Sequence, residues 1–424
     1  MYSKEIRECP LQHRSMSVLH EACDRKVQVK IRWNHVYYGR PDYGMSILCL
    51  QEAENMQEIR IPQGMRDLTA SQSRRKEALR KRIEDVFDSF GYEKICTPTI
   101  EYADTYRIGF TSATDLSEMY RFLDQDGNLV MMRVDMTVPI ARFCATRYSK
   151  AEPPFRFRYC SEVFKIRHMF AGKRSQVTDC GIELIGLDDH SDIEVLYTAI
   201  RVLQQIGAKQ YRLEIGNSGF FRVAAEKLNL SEEQRTTLAD LIDRKSLVEL
   251  HEYLVKMNAS KQIQAFFERL PLLGGGSEVL MEAMELSFCA ELKEEVGKLM
   301  KLDENLRKLG VMDHVSYDFG KIPHLDYYTG IIFEGYVSGV GTSVLSGGRY
   351  DSLLGRFGRD LPACGFSVKL DDLLDILEEE EKNVVRIGYP KGKEVEALIL
   401  SETYRKDSPV ELVLWDEDKI EVIV

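Results

Sequence analysis

The sequence predicts an α+β fold: a mixed or antiparallel sheet flanked by helices, with a mostly helical insertion and a short C-terminal remnant. Three observations predict it. Strand-like segments come in runs, FRFRYCSEVFKI then VTDCGIELIG, later VSYDFG then YYTGIIFEGY, rather than alternating singly with helices as a doubly wound parallel sheet requires. Helical periods dominate from Phe220 to Leu309. No G-x-G-x-x-G follows a strand and no G-x-x-x-x-G-K-[S/T] occurs, which argues against dinucleotide-binding and P-loop architectures.

The elements follow in order. In IPQGMRDLTASQSRRKEALRKRIEDVFDSFGYE, Leu79, Ile83, Val86, Phe87 and Phe90 recur at helical spacing and Gly91 stops the helix. YEKICTPTIE reads as a strand, which Pro98 assigns to an edge or an interface. LVMMRV reads as a strand, and DMTVPIARFCATRY as a helix entered through Asp135, Thr137 and Pro139. FRFRYCSEVFKI and VTDCGIELIG, separated by HMFAGKRS, predict a long hairpin. SDIEVLYTAIRVLQQIGA is an amphipathic helix and YRLEIGN a strand; SEEQ at 231–234 is a capping box. GGRYDSLLGRFG reads as a glycine-punctuated turn region and SVKLDDLLDILEEE as a last amphipathic helix.

At 424 residues the chain exceeds one ordinary core. Residues 1–56 read as an irregular N-terminal extension, mis-started or disordered, with Met56 as an alternative start; 57–380 as the core, with the helical insertion at about 220–309; 381–424 as the remnant. No run of about 18 apolar residues occurs, so no membrane-spanning helix is expected, and the N-terminus lacks a signal-peptide core. The nine cysteines form no CxxC pair, and Cys96, Cys160 and Cys180 sit in apolar strands. Reduced thiols in a cytoplasmic protein are therefore expected, with no disulfide framework and no metal. The set Cys9, His13, His20 and Cys23 matches no familiar zinc spacing. A net charge of −11 argues against a nucleic-acid partner, although residues 1–50 carry eight basic against five acidic side chains.

The polar residues within these strands are the candidate site. Asp135 and Thr137 stand at a strand-to-helix junction, Asp179 and Glu183 share one face of a strand, and Tyr327 and Tyr328 lie on another strand. Carboxylates at strand ends bind ammonium or imidazolium groups, and a tyrosine hydroxyl fixes a neutral ring nitrogen. Solvated strand ends and core aromatics would leave the same trace.

From about Ile61 to Glu380 the chain resembles class II histidyl-tRNA synthetases and their non-catalytic relative, the regulatory subunit of short-form ATP phosphoribosyltransferase. The carriers are IPQGMRD, GYEKICTPTIE, RVDMT, FRFRYCSEVFK, GIELIG, LDYYTGIIFEGY and GGRYDSLLGRFG, in the family's order. The resemblance implies a class II aminoacyl-tRNA synthetase-like antiparallel sheet of six or seven strands. It also implies a self-dimer formed through the region around Pro98.

It further separates the two branches. The synthetase stabilises charge on ATP with arginines, whose planar fork grips phosphate oxygens in two places. At the matching positions this chain carries Lys165 and Pro323, with Arg167 where an acidic residue is expected, His324 in place of a glycine, and Asp372 where the ATP-binding arginine falls. At about 4 Å and an effective dielectric near 20, exchanging cation for anion turns an attraction of about 4 kcal/mol into a repulsion. The remnant after Glu380 is also shorter than the synthetase's anticodon-binding domain. The amino-acid pocket is better kept: Asp135 for the family's glutamate, Thr137, Glu183, Tyr327 and Tyr328, with Asp179 replacing a glutamine.

The resemblance therefore implies a regulatory subunit without catalytic residues or cofactor. Its partner would be a short-form ATP phosphoribosyltransferase catalytic subunit, and L-histidine its feedback effector, at the first step of histidine biosynthesis. An active histidyl-tRNA synthetase is distinguished by the arginine positions. A free-standing synthetase-like amino-acid sensor is distinguished by the absence of such a partner.

Overall fold

Strand pairing in the computed structural model, which describes residues 61–110, 119–166, 174–322, 327–377 and 384–423, gives one large sheet and two small ones. The large sheet is built from β1 (Glu93–Lys94), β5 (Phe155–Phe164), β6 (Gln176–Ile185), β7 (Tyr211–Asn217), β8 (Gly274–Gly275), β9 (Val315–Asp318), β10 (Ile331–Val337), β11 (Leu345–Arg349) and β12 (Ala363–Lys369). Its order is β1-β5-β6-β12-β11-β10-β7-β9-β8. The six central strands, β5 to β7 in that order, are antiparallel throughout. Parallel β1 on one side, and parallel β9 followed by antiparallel β8 on the other, extend them to nine strands, beyond the six or seven expected.

Three expectations for local structure are corrected. YEKICTPTIE is two short strands, not one. After β1 the chain leaves the large sheet, and β2 (Ile100–Tyr102) pairs with β4 (Leu129–Met132), which also pairs β3 (Arg121–Leu123). Pro98, which cannot donate to a ladder, lies in the break. GGR belongs to β11 rather than to a turn, because Gly347 and Gly348 sit where a Cβ would strike neighbouring strands or side chains. SVK completes β12, and only α12 (Leu370–Leu373) follows as helix.

Helices cover the sheet where its strands are apolar. The first, α1 (Ala70–Ser89), opens on a capping box between Thr69 and Gln72 and buries Leu79, Ile83, Val86 and Phe87. The helix α4 (Asp192–Gln205) lies beside it. Both pack on Ile182, Leu184, Phe366, Val368, Phe333 and Ile215 in one core. The same core continues into α5 (Ser218–Glu226), α6 (Glu232–Asp243), α7 (Leu247–Lys256), α8 (Lys261–Arg269), α9 (Glu278–Leu286) and α10 (Ala290–Lys308). The capping box expected at Ser231 and Gln234 opens α6. A second core joins α2 (Ala103–Gly109), α3 (Thr137–Arg147) and α11 (Leu353–Arg356) to Phe157, Tyr159, Tyr327 and Tyr350. Separately, β13 (Val385–Tyr389), β14 (Val410–Leu414) and β15 (Glu421–Ile423) form a three-stranded sheet with α13 (Glu394–Tyr404).

The expected hairpin is β5–β6, in register from Phe155↔Ile185 to Phe164↔Gln176. That register sets Cys160 directly opposite Cys180, and the two form a disulfide. The expectation of reduced thiols at these positions is thereby corrected. Cys96 is exposed, in the break between β1 and β2 rather than in a strand.

Candidate functional site

The two faces of the large sheet differ in chemistry, and the register shows which residues share the open one. Across β5, β6, β12, β11, β10 and β7 one row reads Phe157, Glu183, Gly365, Gly348, Ile332, Gly216. The next reads Tyr159, Gly181, Ser367, Ser346, Glu334, Glu214, with Ser316 beyond it on β9. Asp179 and Lys369 stand one further step along β6 and β12. Glycine is required beside Glu183: a Cβ at Gly365 would collide with the Glu183 carboxylate, and one at Gly348 would lie 2.8 Å from the Tyr328 ring.

Glu183 anchors the pocket. It is 1% exposed; Thr137, the first residue of α3, donates to Oε1 at 2.9 Å and the Tyr350 hydroxyl donates to Oε2. Burial raises its pKa to about 8, against the lowering effect of those two hydrogen bonds, and Asp135 adds to the rise. Asp135 sits just before α3, near the Val138 amide, but its two carboxylate oxygens are buried and neither completes a well-formed hydrogen bond. Burial raises it to about 7, with Lys165 opposing. Burial likewise raises Asp179 to about 6, opposed by Lys165 and Lys369.

Tyr327 and Tyr328 are not on a strand as expected; they precede β10. Consecutive ladder residues would point to opposite faces, whereas these rings lie 4.9 Å apart, and Tyr327 also meets Tyr350 at 5.8 Å and Phe110 at 6.2 Å. Leaving the ladder lets both rings wall the same pocket.

The expected acids, Thr137 and the tyrosines are thus brought together with Lys165. Asp372 is half-buried on α12, near enough to Asp179 to raise its pKa. Arg167, Pro323, His324 and the set Cys9, His13, His20 and Cys23 lie outside the described residues. Sequence reasoning missed Tyr350, which was read into a turn, and Asp371. Asp371 is 4% exposed and accepts from Lys76 at 3.1 and 3.2 Å, the Thr178 amide at 2.6 Å and Arg66 at 3.3 Å. Burial alone would raise its pKa; Lys76, the amide and Arg66 outweigh it and hold the carboxyl below its ordinary value. The acidic pair after Lys369 was the available signal.

Such an arrangement can hold a small polar ligand with N–H donors: three buried acids whose pKa values are raised toward neutrality, a threonine hydroxyl and aromatic walls.

Comparison with known proteins places this geometry. Residues 64–373 match the family model described as histidyl-tRNA synthetase. The ATP phosphoribosyltransferase regulatory subunit of Clostridium novyi is 36% identical over 321 residues, 74% of this chain and 76% of the relative. The protein of that name from Bacillus cereus is 33% identical over 355 residues, covering 82% and 84%. The chain belongs to this family. Among solved structures, an ATP phosphoribosyltransferase regulatory subunit/histidyl-tRNA synthetase from Bacillus halodurans superposes with a TM-score of 0.76 at 29% identity, over 84% of this chain and 93% of that one. A histidyl-tRNA synthetase from Nostoc, at 22% identity and a TM-score of 0.71, shares the fold. The regulatory-subunit family thus keeps a class II synthetase-like sheet, and in this member the open face of that sheet carries the Glu183 pocket.

Proposed function

We propose that this chain is the regulatory, non-catalytic subunit of a short-form ATP phosphoribosyltransferase, serving the first step of L-histidine biosynthesis, with catalysis left to its partner. The observation that carries the reading is the likeness, over three quarters of the chain, to proteins of that name. The Asp371 network supports it: acids and their internal cations occupy the region of Asp372, where the resemblance would put an ATP-binding arginine.

L-Histidine occupies the Glu183 pocket as feedback effector in this proposal, its α-ammonium and imidazole held among Asp135, Thr137, Asp179, Glu183, Tyr327 and Tyr328. Feedback requires that histidine bind two assembly states unequally. The chain also forms a self-dimer, a reading supported by the exposed side chains Ile100, Tyr102, Phe122 and Leu123 on the small sheet next to Pro98. We place the complex in the cytoplasm; among the described residues no helix is long and apolar enough to cross a membrane.

Mixing the chain with a short-form catalytic subunit and measuring phosphoribosyl-ATP formation, with and without histidine, tests the proposal. Co-elution and histidine-sensitive activity are expected; their absence would sink it. Histidine-dependent pyrophosphate exchange into ATP by this chain alone would instead favour a synthetase.

A further inference from the structure

The disulfide between Cys160 and Cys180 presents its two sulfurs unequally. The residues stand opposite each other on β5 and β6, one step along each strand from Tyr159 and Gly181. Alternation therefore turns them away from the open face, toward α1. There Cys180 is 0% exposed within the main core, whereas Cys160 is half-buried at its margin. Cys160, and not Cys180, lines a surface cavity of about 390 Å³, whose walls among the described residues include Ser73, Lys76 and Arg80 of α1, Arg133 and Thr178. Such a volume admits a small organic thiol and brings it to one sulfur of the bond.

What lies beside the bond gives its opening a consequence. Asp179, next to Cys180 on β6, is one of the three pocket acids, and the Thr178 amide donates to Asp371 at 2.6 Å. The disulfide thus pins the stretch of β6 that carries both. A disulfide in the cytoplasm, where we place this complex, is seldom structural and more often redox-sensing.

We propose that Cys160 is a site of thiol–disulfide exchange, taking a small organic thiol from the cavity, and that opening the bond loosens the β6 segment behind the acid pocket. A thiolate in the cavity attacks Cys160 Sγ and forms a mixed disulfide. The Cys160–Cys180 bond breaks, and its electron pair leaves with Cys180 Sγ, which takes up a proton. A second thiolate attacks the sulfur of the bound small thiol, releases the small disulfide and leaves Cys160, once protonated, as a free thiol. Two small thiols are oxidised to one disulfide, and one protein disulfide is reduced to two thiols. The consequence for ligand binding rests on the reading that L-histidine occupies the Glu183 pocket.

Peptide mass spectrometry of the native full chain tests the site. After 2-mercaptoethanol and then iodoacetamide, the wild-type chain should carry the label on Cys160 and at least tenfold less on Cys180. Cys180→Ser treated with bis(2-hydroxyethyl) disulfide should retain a mixed disulfide at Cys160, and Cys160→Ser should retain none at Cys180. Deuterium uptake by the β6 segment around Thr178 should be at least threefold faster in the reduced chain, and histidine should bind it at least threefold more weakly by calorimetry. A bond that resists thiol in the native chain, equal labelling of the two cysteines, or a mixed disulfide at Cys180 would overturn the exchange site. Equal deuterium uptake, or equal histidine affinity, in the two redox states would overturn the loosening. Histidine binding to neither state, with labelling and uptake as stated, would overturn the effector reading and leave this site standing.

Discussion

Thr137 Oγ1 donates to Glu183 Oε1 at 2.9 Å, joining the first turn of a helix to the middle of the large sheet at a carboxylate that is 1% exposed. The bond does two things at once. It orients the acid toward the open face, and it satisfies one oxygen that water cannot reach.

Thr137→Ala leaves that oxygen without its donor. A buried acceptor deprived of its partner costs about 1–3 kcal/mol. The urea midpoint should fall by a corresponding amount with no change in slope, and the Glu183 pKa should rise further, because a hydrogen bond that lowers it has gone.

Stability should depend on pH through Glu183 and Asp135. Their folded pKa values, about 8 and about 7, stand above the ordinary 4.5 and 3.8. The fold therefore holds protons that the unfolded chain releases. The stabilising contribution is complete below pH about 4 and lost as pH rises to about 8. Because each group raises or faces the other, the pair titrates as a unit. Thermal unfolding followed from pH 5 to pH 8 should show a smaller decline in Glu183→Gln than in the wild-type chain.

Asp371 behaves in the opposite sense. Its folded pKa is depressed, so its contribution is present at neutral pH and disappears as pH falls below the ordinary 3.8. Asp371→Asn weakens charge-assisted bonds to Lys76 and Arg66, at a cost of about 1.5–3 kcal/mol at pH 7. Denaturant titration at pH 7 and pH 3 should show a difference that narrows at the lower pH.

Gly365→Ala places a methyl group against the Glu183 carboxylate. Overpacking of this kind costs about 1–3 kcal/mol. The variant should also lose histidine binding by titration calorimetry, if histidine occupies the pocket as proposed, because the acid must move.

Much of the fold was legible because apolar periods survive in the sequence. Leu79, Ile83, Val86 and Phe87 announce α1, and the matched lengths of FRFRYCSEVF and QVTDCGIELI announce the hairpin. The break at Pro98 was half-legible: proline warned of an edge, but nothing local says that the next strand joins another sheet. Tyr327 and Tyr328 looked like strand residues because aromatics favour strands, and their departure from the ladder is imposed by packing on Phe110 and Tyr350. Tyr350 was hidden among glycines that read as a turn, although those glycines are where neighbouring strands and side chains come too close for a Cβ. Cys160 and Cys180 met because register, not composition, decides which thiols face each other.

Arg133 gives the strand break a mechanical meaning. Its guanidinium grips the carbonyls of Thr97 at 2.9 Å and Pro98 at 3.3 Å and, on the other side, that of Glu162 at 2.7 Å, while its own amide bonds Thr99. Two residues later the chain reaches Asp135. The small apolar sheet and the acid pocket therefore share a rivet. Arg133 thus ties the strand break that carries the chain into the small sheet, and the Glu162 carbonyl of β5, to the segment that delivers Asp135 to the head of α3.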